Sequence, residues 1–182
     1  MIAVPVLAVA WWLGSPLFID RTVVEEFPRA ATADVPEGQT MAEVEEIMRD
    51  AEGEAVAVGE DMPDAAPIGL LSGEFEGADD FHEGSGLATV YELDDGSRVL
   101  RLEALDVTNG PDLHVILSPA TNPTTRDEVA TPGYVDLGGL KGNKGDQNYD
   151  IPAEVDLTGE WTVVIYCQPF HVIFATAGLS PA

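Results

Sequence analysis

Between residues 71 and 180 the chain falls into short strand-like runs separated by Gly, Asp, Asn and Pro turns, with no helical run between them. Regular short strands without interleaved helices restrict such a chain to an antiparallel β-sandwich or a barrel-like closure of one. The run "LATVYEL" (87–93) leads through "DDGS" into "RVLRLEALDV" (98–107), a hairpin pattern that places Leu100, Leu102 and Ala104 on one face. "DLHVILS" (112–118), "GYVDLGGL" (133–140), "YDI" (149–151) and "EVDL" (154–157) continue the series, and "WTVVIYC" with "FHVIFATAGL" completes it. Strand parity puts Trp161, Val163, Ile165 and Cys167 on one face and Thr162, Val164 and Tyr166 on the other. Both faces are largely apolar, so this strand is expected to be central. Pro169, which donates no ladder hydrogen bond, ends it or sits at a turn. Cys167 is then expected at the rim of the sheet, where a buried strand meets a loop.

Residues 1–19, "MIAVPVLAVAWWLGSPLFI", carry no charge, and about 20 apolar residues suffice for a bilayer crossing. A cleaved signal peptide is the alternative, with "AVA" at 8–10 as its cleavage signal. That choice leaves too short a hydrophobic region and no basic leader, so an uncleaved transmembrane helix is expected. Residues 20–70 read as an acidic, Pro-punctuated linker with a short amphipathic helix at about 40–52. Thr40 is its N-cap, Glu43 completes a capping box, and Met41, Val44, Met48 and Ala51 recur at helical spacing. The expected layout is an anchor at 1–19, a linker at 20–70 and a β-domain at 71–180. It places a single-pass protein in the cell membrane with its C-terminal domain extracellular.

The chain holds 33 acidic against 8 basic residues, a formal net charge of -25. Self-repulsion on that scale weakens a compact fold unless salt screens it, and the screening length shrinks from about 10 Å at 0.1 M to about 3 Å at 1 M. A salt-loving source is the natural expectation. The same surface repels nucleic acid, and no basic stripe offsets it. Neither a nucleophile elbow, an HExxH pair nor a phosphate-binding glycine loop occurs, so hydrolase and nucleotide functions have no support. One cysteine closes no intrachain disulfide.

Four blocks occur in order: His82 with Gly84 to Gly86, "NGPDL" (109–113), "LKGNKGDQNY" (140–149), and Cys167 with Phe170 and Phe174. Together they resemble the DM-thirteen domain, the electron-transfer module found beside DOMON domains in Skeletor-type animal proteins and alone in many prokaryotes. The resemblance spans about residues 71–180, and the apolar start with an acidic surface resembles membrane-tethered halophilic archaeal versions. It implies a redox role centred on Cys167, with a redox partner protein in the cell envelope. It also marks His82, Asn109, Asp112, Tyr149 and Phe170 as cofactor-binding candidates.

A lone thiol moves electrons by ligating haem iron or copper as a thiolate, or by cycling through a sulfenic acid or a mixed disulfide. "CQPFH" provides the short Cys-to-His loop that a copper site uses, which makes Cys167, His171, His82 and His114 the candidate metal ligands. Asp112, Asp146 and Asp150 are candidate calcium ligands, and the Gly-rich block with Lys141 and Lys144 a candidate anion cradle. The competing class is a non-catalytic envelope module that binds a protein, a glycan or a divalent cation, with Cys167 as core filling.

Overall fold

A computed structural model describes residues 19–28, 66–131 and 133–182. The expected transmembrane helix at 1–19 and the amphipathic helix at 40–52 fall outside the described residues, apart from Ile19. Among the described residues no helix is long and apolar enough to cross a membrane.

Ten strands form the body: β1 (Thr22–Val24), β2 (Ile68–Glu74), β3 (Glu76–Gly77), β4 (Gly84–Glu92), β5 (Arg98–Val107), β6 (Leu113–Ser118), β7 (Val135–Gly139), β8 (Lys144–Ile151), β9 (Trp161–Cys167) and β10 (Val172–Pro181). Their order across the sheet is β1-β8-β5-β4-β2-β10-β9-β6-β7, with β3 beside β10. β10 causes the curl. Most of its length pairs with β9, while Ser180 and Pro181 at its end pair with Ser72 and Leu71 of β2. One strand thus joins two leaves, and their facing sides share a core that runs from Leu100 and Leu102 to Val163, Ile165 and Cys167. Gly73 and Gly178 meet at this crossover, where a Cβ on Gly73 would strike the Gly178 carbonyl. The expectation of an all-β domain holds as a curled, half-barrel sheet.

Most strands lie where the sequence places them, and the departures have local causes. "YDI" is the end of β8 and no separate strand, because the Gly-rich block before it is itself extended. "EVDL" is a turn, closed by the Val155 amide on the Pro152 carbonyl. In β5 the alternation breaks at Ala104, whose φ of 48° marks a bulge between Leu102 and Leu105. The extra residue reverses parity, turning Ala104 to solvent while Leu105 and Val107 enter the core. The orphaned Ala104 amide donates to Asp146 Oδ1 at 2.8 Å. A short helix, α1 (Arg126–Ala130), was not expected. Its Thr125–Glu128 capping box was legible, but five residues are too few to show an apolar period.

Part of the expected linker is not linker. β1 lies parallel to β8, the one parallel pairing described, in register Thr22 with Lys144 and Val24 with Asp146. Glu25 follows it with its carboxylate between Lys141 Nζ at 2.8 Å and the Asn148 amide at 2.7 Å. Partial burial pushes this carboxyl up, but the Lys141 and Asn148 hydrogen bonds and the Lys141 and Arg101 charges outweigh that and hold it below its ordinary 4.5. A carboxylate depressed by folding stabilises above its unfolded value and stops doing so as pH falls through its folded one. Docking of residues 20–27 is therefore expected to loosen progressively below about pH 4.5. Hydrogen exchange at the Glu25 amide, corrected for intrinsic rates between pH 6 and 3, measures it; protection unchanged at pH 3 would contradict the assignment.

Candidate functional site

Parity along β9 is as expected, with Val163, Ile165 and Cys167 on the main core and Val164 and Tyr166 in a second cluster on the outer face with Ile116, Val129 and Ile173. β9 is central, between β10 and β6. Cys167 is its last residue, and its location corrects the expectation of a rim thiol. The side chain is 0 % exposed, unpaired with any other cysteine, and part of the main core cluster.

A loop seals it. Residues 109–112 lead into β6, whose first residue, Leu113, pairs with Cys167. Cys167 Sγ donates to the Pro111 carbonyl at 3.1 Å, and the Gln168 amide donates to the Asp112 carbonyl at 3.2 Å. The sulfur contact uses the S–H proton, so it belongs to the thiol form. In "NGPDL" the left-handed residue is Asp112, at φ 49°. Gly110 is required because a Cβ there would come within 2.6 Å of the Phe174 ring. Phe174 is buried in the same cluster, and the His82 ring packs against it at a tilt of 57°, 4.3 Å between centroids. His82 Nδ1 is held by the Asp79 carboxylate at 2.8 Å. Hydrogen bonds from that histidine, and from the Phe81 and His82 amides, hold the Asp79 carboxyl below the usual range.

The histidines do not converge on the sulfur. His114 pairs in register with Tyr166, so the sheet separates it from Cys167, and its nitrogens face Asp136 and Asp112. His171 sits exposed in the β9–β10 turn at φ 56°, its Nδ1 3.2 Å from the Tyr166 hydroxyl on that same outer face. Among the described residues no three His, Cys, Asp or Glu side chains are placed to hold a metal ion. Copper therefore does not fit the expected set Cys167, His171, His82 and His114. Haem ligation by the sulfur does not fit either, since Cys167 is 0 % exposed and its S–H is bonded to the Pro111 carbonyl. The calcium reading loses its ligands too: Asp146 pairs with Arg101 and Asp112 with His114, on separate elements.

The five cofactor-binding candidates are dispersed. Asn109 and Asp112 share the sealing loop. Phe170 projects from the adjoining turn with 69 % of its surface exposed, and His82 stands behind Phe174. Tyr149 lies on β8, its hydroxyl 2.9 Å from Gln147 Oε1, and burial pushes its pKa up to about 12. The anion-cradle reading also fails, because Lys141 binds Glu25 while Lys144 binds Asp20 and Asp106. Sequence reasoning missed the Pro111 carbonyl, which no residue type announces, and Arg101, a strand cation that is buried although β5 also carries Arg98, Glu103 and Asp106.

The geometry thus defines a class: a curled all-β domain built around one buried, unpaired thiol beneath a Gly–Pro loop. The family model described as Electron transfer DM13 matches residues 74–179. The chain belongs to that family, which gives it a redox-related role. Searches of curated proteins and of solved structures find no match for it.

Proposed function

We propose that this chain is an electron-transfer module of the cell envelope, tethered by residues 1–19 with the domain outside the cell, and that the Cys167 thiol is its redox group. The family supports the redox role, the uncharged start supports the tether, and the acidic surface supports a high-salt setting. One observation supports the role of Cys167: its sulfur is hydrogen-bonded to the Pro111 carbonyl of residues 109–112, a loop that is itself partly exposed. Lifting that loop presents the sulfur without breaking a strand. A disulfide-bearing partner of the envelope is then a suitable acceptor. The Cys167 thiolate attacks one partner sulfur, the partner's S–S bond breaks, its other sulfur leaves as a thiol with the proton, and a mixed disulfide remains.

The test is a mixed-disulfide assay on full-length protein folded in concentrated salt. With a small aromatic disulfide, the adduct is expected to form far more slowly than on a free cysteine, yet faster than global unfolding. The Cys167→Ala variant is expected to form none. The complete burial of Cys167 favours a second reading, in which it is core filling in a non-catalytic binding module. Adduct formation no faster than global unfolding would establish that reading and remove ours.

A further inference from the structure

Residues 20–27 lie in a groove that recognises them in detail. Asp20 Oδ1 accepts hydrogen bonds from Asn109 Nδ2 and Asn143 Nδ2, both at 2.9 Å, and its other oxygen lies 3.2 Å from Lys144 Nζ. Asn143 Oδ1 accepts from the Arg21 amide at 2.7 Å. The Arg101 guanidinium, 5 % exposed, donates to the Glu25 and Glu26 carbonyls at 3.2 Å each, and the Phe27 ring packs on it and on Tyr91. Gly142 and Gly145 let the strand approach, since a Cβ on either would collide with the Arg21 or Val23 carbonyl. The groove belongs to the family-matched part of the chain. Its occupant does not.

Exposed sheet edges bind added strands through main-chain hydrogen bonds, with side-chain pockets setting specificity. Here cations and amides match an acidic, extended segment at both ends. Asp20 also bridges two structures: it holds Asn143 of the groove and Asn109 of the loop whose Pro111 carbonyl covers Cys167. We propose that the β8 edge is a peptide-binding groove for an extended acidic segment, occupied by residues 20–27, and that occupation latches the 109–112 loop shut over Cys167. The latch concerns access to the sulfur and stands whether or not the thiol transfers electrons.

The experiment uses the full chain carrying Asp20→Ala and Glu25→Ala, with native alkylation of Cys167 and tryptic cleavage after Arg21 measured together. Both rates are expected to rise about tenfold, the ratio set by losing one or two charge-assisted hydrogen bonds. A capped peptide of residues 19–28 added in trans is expected to reverse the faster alkylation with saturation, while cleavage after the chain's own Arg21, which the peptide keeps out of the groove, stays raised. An unchanged cleavage rate overturns the recognition, a raised cleavage rate with unchanged alkylation overturns the latch, and a peptide without effect overturns the groove. Should the double variant not fold, Asn109→Ala severs the latch alone. It is expected to raise alkylation without raising cleavage, and unchanged alkylation there overturns the latch.

Discussion

Phe174→Ala is expected to cost the domain about 3–5 kcal/mol, the range for deleting a buried phenylalanine ring. Its ring is 5 % exposed, fills the corner between Gly110 and His82, and belongs to the cluster that contains Cys167. For a domain of this size, the drop in melting temperature should be roughly 12 °C or more. The neighbouring exposed ring is the control: Phe170→Ala is expected to stay within about 0.5 kcal/mol. Losing Phe174 also removes what the sealing loop rests on, so native alkylation of Cys167 should accelerate even after correction for the lower global stability. Denaturant titration with parallel alkylation kinetics measures both. A Phe174→Ala loss below about 1 kcal/mol would mean that the ring does not support this corner.

Arg101→Ala is expected to cost about 2–3 kcal/mol, less than a fully buried ion pair because its partners remain partly wet. The guanidinium joins Asn148, Glu103, Asp146 and the carbonyls of Glu25 and Glu26, tying β5 and β8 to the docked segment. Arg101→Lys is expected to recover less than half of the loss, since a single ammonium cannot span carbonyls and carboxylates in one plane. Thermal melts in concentrated salt, with tryptic cleavage after Arg21, separate the two effects. Melting and cleavage that match the unaltered protein would show that Arg101 does not hold the docked segment.

Strand content was legible because strands declare themselves locally. β5 and β9 run over the residues expected from alternation and turn chemistry, Arg98–Val107 and Trp161–Cys167. The hairpin between β4 and β5 was equally visible, with Gly96 at φ 80° in the turn that "DDGS" announces. The misreadings occur where one residue changes the phase or where a partner comes from far away. The Ala104 bulge is satisfied by an aspartate 42 residues on. β1 docks by contacts that span more than a hundred residues.

The site divides in the same way. That Cys167 ends a buried central strand, next to a turn, followed from the sequence alone, because side-chain alternation and the absence of an amide donor in Pro169 are local facts. Whether its sulfur met water, a histidine or a carbonyl did not follow, because the decision rests on a loop 56 residues away and on which sheet face each imidazole occupies. Composition alone determined the surface charge and the single thiol. Only the curled sheet decided that the Pro111 carbonyl meets that thiol and that Asp20 reaches the same loop through Asn109, since long-range packing is set by the sum of many contacts that no local pattern encodes.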